Sequence, residues 1–407
     1  MKYPLLLSVL SLSSIVSSEL TRIDLRYRAF SDAPIYREPL FEDDGTYFGN
    51  INVGGQTVTV TFDSSTPVNW VPSSECSTHT CNLAPKKYDA SKSSTSVNTG
   101  KPFKVVYDDG CIDGTLYRDK IHIGGYDYKE TTFVNADSVT GDLGTERYLG
   151  SLGVGGYSEG NWYDRSNNEM SLHLNATLDL GLQTEKQAPK LKARDIVGMP
   201  GWGRSRPPRG GRKLRKRWYD SYLVIGGIDH SFVEGDFVQL DLPTCDYGES
   251  KYWKTSLQSI RLGDVYESKT DSEKTLAQFH TGSNFIIAPE EKVKCLHEAI
   301  GATLTVQANH QEVYQLPCDQ VYDLPRLEFQ LNSGIKASIP STSWLTPDPN
   351  DDTKCNSLIR SVGGNKSAAW SLGNAFLDEF YVYFDYNKAT IQLAKSSGGD
   401  GEVGSWN

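Results

Sequence analysis

One outline occurs twice in this chain. Phe62-Asp63-Ser64-Ser65-Thr66-Pro67-Val68-Asn69-Trp70-Val71-Pro72 runs from an aromatic residue through a titratable group and small hydroxyl residues into an apolar stretch ending in proline. Phe279-His280-Thr281-Gly282-Ser283-Asn284-Phe285-Ile286-Ile287-Ala288-Pro289 repeats that order, with its titratable position 217 residues after the first. Just before the first stretch, Thr57–Phe62 alternates hydroxyl and apolar residues, as a strand with one buried face does. That strand delivers the Asp63 carboxylate into a turn. A repeat of this kind calls for two related lobes, each giving one functional group to a shared cleft.

A length of 407 residues suits two such lobes. The formal net charge of −10 favours solubility at neutral pH and gives no general attraction to nucleic acid. Residues 1–18 read as a secretory signal: Lys2, the apolar run Leu5–Leu10, then small residues up to Ser18. That apolar run is too short to span a bilayer, so the expectation is a secreted, extracellular protein without a membrane anchor. Seven cysteines are compatible with disulfides in that compartment, and none is spaced as a zinc site, so no metal is expected.

The two stretches resemble the active-site loops of the pepsin-like aspartic proteases, which read Asp-Thr/Ser-Gly-Ser/Thr in both lobes. The resemblance extends from about Tyr47 to about Ala394. It implies an all-β fold with a few short helices, bilobal, with a central cleft covered by a flap. It also implies a monomer without cofactor that takes an extended peptide or protein segment in the cleft.

In that family two carboxylates share one proton; one activates a water and the other polarises the scissile carbonyl. Carried over by position, Asp63 matches the first aspartate. Ser64 and Thr281 match the hydroxyl pair linking the loops, and Thr66 and Ser283 the outer hydroxyls. Tyr107 matches the flap tyrosine in Tyr107-Asp108-Asp109-Gly110, which places Asp109 in the flap beside a ligand, and Trp70 matches the aromatic residue behind it. Two positions depart from the pattern. His280 stands where the family has its second aspartate, and Ser65 where it has glycine. An imidazole beside Asp63 makes an acid–base pair of opposite charge in place of a shared proton, and it is longer than a carboxylate. The sequence reading is a pepsin-family homologue whose proteolysis is reduced or lost. The alternatives are an acid endopeptidase using Asp63 and His280, and a non-catalytic decoy or inhibitor that binds peptides or proteins.

The resemblance also implies bridges Cys76–Cys81 and Cys318–Cys355. Of the remaining Cys111, Cys245 and Cys295, a Cys245–Cys295 pair is preferred, leaving Cys111 free. Residues 19–45 form a short charged segment in place of a propeptide, the N-terminal lobe covers 46–232, the C-terminal lobe 233–395, and 396–407 a polar tail. Tyr107–Gly114 is expected to join the two flap strands. Leu149–Gly156 and Trp370–Leu377 read as glycine-containing strands crossing beneath the loops, where only glycine permits close backbone approach. Ser171–Leu182 reads as an amphipathic helix and Ala375–Phe380 as a short one. A Gly/Pro-rich insertion at about 198–218 holds eight basic residues and no acid between Arg204 and Arg217. Its composition is that of a solvated insertion, while Lys216-Arg217 admits proteolytic processing; a polyanion-binding loop and a retained intron are the further readings. Asn175 and Asn365 head N-glycosylation sequons.

Overall fold

The computed structural model describes residues 35–107, 110–155, 176–179, 221–242, 253–270, 275–307, 312–361, 369–385 and 390–405. The fold is strand-dominated, with helices of at most ten residues among the described residues. No described helix is long and apolar enough to cross a membrane.

The sequence repeat has its counterpart in the strand pairings. In the first half, Gln56–Asp63 runs parallel to Ser151–Gly153, with Phe62 opposite Leu152. Ser151–Gly153 lies antiparallel to Trp70–Pro72, which runs parallel to Tyr126–Gly141. In the second half, Leu276–Phe279 runs parallel to Trp370–Leu372, with Phe279 opposite Leu372. That strand is antiparallel to Ile286–Ile287, itself parallel to Ile359–Arg360. Each loop therefore leaves its strand, turns, and returns across the same glycine-containing neighbour.

The two glycines explain why this crossing is tight. A Cβ at Gly153 would lie 2.5 Å from the backbone of Pro67 and Val68, and one at Gly373 would lie 2.3 Å from the Ser283 carbonyl oxygen. No side chain fits either gap. The alternation of Thr57–Phe62 also does what its period requires: Val58, Val60 and Phe62 are all buried.

A sheet formed by Val233–Asp241, Thr390–Ser396, Phe380–Asp385, Ala176–Asp179, Ser221–Ile225 and Tyr36–Asp43 joins residues from both halves of the chain. The observed elements correct two expected helices and place two further segments in sheets. Ala176–Asp179, inside the expected helix, is a strand between Ser221–Ile225 and Phe380–Asp385, because both neighbours offer backbone partners to it. Tyr36–Asp43, within the segment 19–45, is a sheet strand paired with Ser221–Ile225 through Tyr36–Leu40 and with Thr46–Val53 through Phe41–Asp43. Within the expected polar tail, Glu402–Ser405 pairs with Ile335–Ile339. The expected short helix lies earlier, at Asn374–Leu377.

The flap differs in detail too. Val97–Tyr107 and Gly110–Ile123 pair up to Tyr107 opposite Gly110, so the connection is confined to residues 108–109. Tyr126–Gly141 flanks Gly110–Ile123 along its length, ending at Gly110 opposite Gly141. Gly110 and Gly114 permit this: a Cβ at either would lie 2.2 Å from a carbonyl oxygen of the neighbouring strand.

Disulfides join Cys76 to Cys81 and Cys318 to Cys355. The preferred Cys245–Cys295 pair is not formed: Cys295 is a free, exposed thiol, as is the half-buried Cys111 a free one. Cys295 lies on the helix Glu290–Ala299, which buries Val293, Leu296 and His297 and thereby turns Cys295 to solvent. This helix was not foreseen; Pro289 and two glutamates in its first turn are its local start signals. Cys245, Asp109, the sequon asparagines Asn175 and Asn365, and the basic insertion lie outside the described residues.

His297 is fully buried, with Nδ1 2.7 Å from the Val293 carbonyl, Nε2 2.7 Å from Ser357 Oγ, and its ring stacked on Tyr314. Burial pulls its pKa down to about 4, opposed by the bond to the Val293 carbonyl. Below pH about 6.5 unfolded chains take up a proton that the folded chain refuses, so stability falls as pH drops towards about 4. His297→Gln should remove a pH-dependent loss of about 3 kcal/mol across that window, read from urea unfolding at several pH values. An unchanged pH slope in the variant would contradict the assignment.

Candidate active site

Asp63 ends its strand and His280 follows the equivalent one, so the pseudo-symmetric strands bring the two side chains face to face. His280 Nε2 lies 3.5 Å from Asp63 Oδ1, and both side chains are largely but not wholly shielded from solvent.

The loops are locked together beneath this pair. The Ser64 N–H donates to Thr281 Oγ1 at 2.9 Å, and the Thr281 N–H donates to Ser64 Oγ at 3.0 Å. Each hydroxyl then donates onward across the interface, Ser64 Oγ to the Phe279 carbonyl and Thr281 Oγ1 to the Phe62 carbonyl, both at 2.7 Å. All four bonds are buried, where an unmet polar group is costly. The outer hydroxyls also act alike: Thr66 Oγ1 accepts from the Val68 N–H, and Ser283 Oγ from the Phe285 N–H. They shape each loop from within.

The symmetry breaks at the residues that touch the titratable groups. A Cβ at Gly282 would lie 2.7 Å from Asp63 Cγ and 2.9 Å from Oδ2, so glycine there is what lets the carboxylate close down on the opposite loop. The position matching Gly282 in the first loop is Ser65. Ser65 meanwhile donates its N–H to Asp63 Oδ1 at 2.8 Å and fixes that carboxylate's orientation.

His280 is held at its other nitrogen. Nδ1 lies 3.1 Å from Ser371 Oγ, on the strand that runs beneath the second loop. Sequence reasoning passed over Ser371, although it immediately precedes the Leu372-Gly373 pair. It also passed over Asn284 and Asn374, which donate to the Asp44 and Gly45 carbonyls and moor the hairpin turn of the first lobe to the second loop. Trp253 adds a further tie, donating its indole N–H to the Val154 carbonyl at 2.9 Å.

Tyr107 is half-buried and packs against a cluster containing Val68, Trp70, Val105 and Ile112. Trp70 itself is only 2% exposed and belongs to the cluster against which Tyr107 packs. Beneath the moored hairpin, Tyr47 bonds to Asp378, whose burial, reinforced by the nearby Glu379 charge, holds its carboxyl well above the usual carboxylate range. Arg360 stacks 3.7 Å over the Phe285 ring beside the second loop, and its burial lowers the pKa of the guanidinium while Asp44 raises it.

Two loops of one design, joined by a reciprocal hydroxyl lock and aiming two titratable groups at each other, define a two-lobed peptidase-type cleft. The sequence profile of the eukaryotic aspartyl protease family matches residues 46–174 and 214–396, and the chain belongs to that family. The break in the match falls on residues 175–213, which include most of the basic insertion. The chain is 29% identical to cathepsin E of Rattus norvegicus over 378 residues, covering 88% of this chain and 82% of that protein. It is 25% identical to chymosin of Bos taurus, covering 87% and 81%, and 24% identical to gastricsin of Rattus norvegicus, covering 90% and 85%. Pepsin-like proteases bind peptide substrates in such a cleft.

The hydroxyl lock makes a testable demand. Ser64→Ala and Thr281→Ala should each lower the unfolding free energy by about 2–3 kcal/mol, because each leaves buried partners unmet. Measured by denaturant unfolding, the double variant should depart from additivity by at least about 0.5 kcal/mol. Strict additivity would mean that the two hydroxyls do not work as one unit.

Proposed function

We propose that this chain is a secreted, monomeric pepsin-family protein that holds an extended peptide or protein segment in its cleft and has lost ordinary peptide-bond turnover. The observation that carries this reading is the double engagement of His280. A carboxyl group opposite Asp63 would spend one oxygen on the shared proton and keep the other for the substrate carbonyl. The imidazole turns Nε2 to Asp63 and Nδ1 to Ser371, and has no third polar atom for a substrate. Secretion is supported by the leader-like residues 1–18 and by two disulfides, which persist in oxidising compartments.

A second reading is favoured by the 3.5 Å approach of His280 to Asp63 over an intact hydroxyl lock. In it Asp63 accepts a proton from the attacking water while a protonated His280 polarises the scissile carbonyl. Nε2 would have to leave Asp63 for the substrate during each turnover.

Cleavage of a broad peptide library between pH 3 and 8 separates the two. The wild type should cleave nothing measurable, and His280→Asp alone should remain poor because Ser65 still replaces the glycine of the first loop. The double variant Ser65→Gly/His280→Asp should gain activity by on the order of 10²-fold or more and lose it again when Asp63→Ala is added. Wild-type cleavage that disappears in Asp63→Ala would establish the second reading.

A further inference from the structure

We propose that Ser371 is a nucleophile activated by His280, with Asp63 as the orienting carboxylate, and that this serine centre takes an ester or comparably activated acyl group. The inference rests on the reading above, in which His280 is not engaged in aspartic-type hydrolysis.

Ser371 lies in the strand Trp370–Leu372, whose two other residues are buried. The side chain of Ser371 therefore projects to the opposite face, where it is half-buried and within 3.1 Å of His280 Nδ1. Gln278 lies opposite Ser371 on the neighbouring strand and shares that face; it reaches across to donate to the Ser65 carbonyl of the first loop. Ser371 thus belongs to the wall where the loops meet. Its pairing counterpart in the first half is Ser151, which is buried and lies opposite Thr61, and the first-loop position equivalent to His280 is Asp63, so that half offers no imidazole. A serine at this strand position is not in itself reactive. The imidazole is what distinguishes Ser371.

The three side chains form an ordered chain, Asp63 Oδ1 to His280 Nε2 at 3.5 Å and His280 Nδ1 to Ser371 Oγ at 3.1 Å. A nucleophile, a base within reach and a third group that orients the base are the components of serine-type catalysis, and such contacts are often loose without substrate. The arrangement is recognised by geometry and role, not by the order of residues, and here the ring nitrogens are exchanged, with Nε2 towards the carboxylate and Nδ1 towards the serine. Asp63 is itself oriented by the Ser65 N–H at 2.8 Å. With the ring proton on Nε2, facing the Asp63 carboxylate, Nδ1 offers its lone pair to Ser371.

The chemistry balances with water alone. As Ser371 Oγ bonds to the acyl carbon, its proton passes to Nδ1, and Asp63 stabilises the imidazolium through Nε2–H. Collapse of the tetrahedral species breaks the ester C–O bond, and Nδ1–H protonates the departing alkoxide. Water then attacks the acyl-Ser371 carbonyl and gives its proton to Nδ1. Cleavage of the acyl–Oγ bond returns that proton to Ser371.

A fluorophosphonate probe applied to the full-length protein at neutral pH tests this, with intact-mass and peptide mapping as readouts. One adduct is expected, on Ser371, absent in Ser371→Ala and retained in Ser151→Ala. The labelling rate should fall by on the order of 10²–10⁴-fold in His280→Gln, and measurably in Asp63→Asn. If Ser371→Ala fails to fold by circular dichroism, the mapped wild-type adduct decides. An unlabelled wild type, an adduct at another residue, or a rate indifferent to His280→Gln would overturn the assignment. Peptide cleavage that survives Ser371→Ala would overturn the functional reading, whereas a protein that neither cleaves peptides nor labels would overturn this inference alone.

Discussion

Four buried hydrogen bonds between Ser64 and Thr281 and the strands beneath them hold the two halves of this protein in register. Everything placed above them inherits their geometry. Because each hydroxyl accepts from the opposite backbone and donates to the opposite carbonyl, neither loop can shift without breaking bonds in both halves. The glycines of the crossing strands complete the constraint, since Gly153 and Gly373 leave no room for any side chain beneath the loops. The Asp63–His280 contact is set by this rigid frame, and its chemistry follows from which atoms the frame presents.

The first loop contributes a carboxylate seated against Gly282, and the second an imidazole 3.5 Å from that carboxylate. A carboxylate pair is symmetric and shares a proton; Asp63 and His280 are not interchangeable. One side of the site can hold only negative charge or a proton, while the other has one nitrogen for Asp63 and one for Ser371. Polarity therefore runs through the site in one direction, from Asp63 to Ser371, and the point at which chemistry can leave that chain is the serine hydroxyl. Two acid-sensitive groups outside the site pull in opposite directions: His297 disfavours folding at low pH, whereas the buried Asp378 carboxyl favours it.

Much of this was legible in the sequence because it is carried by local pattern. The two loops, the alternating strand before Asp63 and the glycines beneath the loops each announce a backbone requirement within a few residues. Cys76–Cys81 and Cys318–Cys355 were legible through family resemblance alone. What was missed depends on long-range pairing. Ala176–Asp179 has the periodicity of a helix but is recruited as a strand by two neighbours distant in sequence. Tyr36–Asp43 is charged and irregular, and its pairing with Ser221–Ile225 is invisible without the fold. Ser371 carries no motif of its own; it matters only because register places it opposite Gln278 and beside the imidazole.

The central claim is that the frame commits both nitrogens of His280, with Nδ1 facing Ser371. Nitrogen-15 magnetic resonance of the selectively labelled imidazole tests it most directly. The account predicts a ring protonated at Nε2, with an Nδ1 signal that shifts in Ser371→Ala while the fold is retained. A proton on Nδ1, or an Nδ1 signal indifferent to Ser371→Ala, would contradict it.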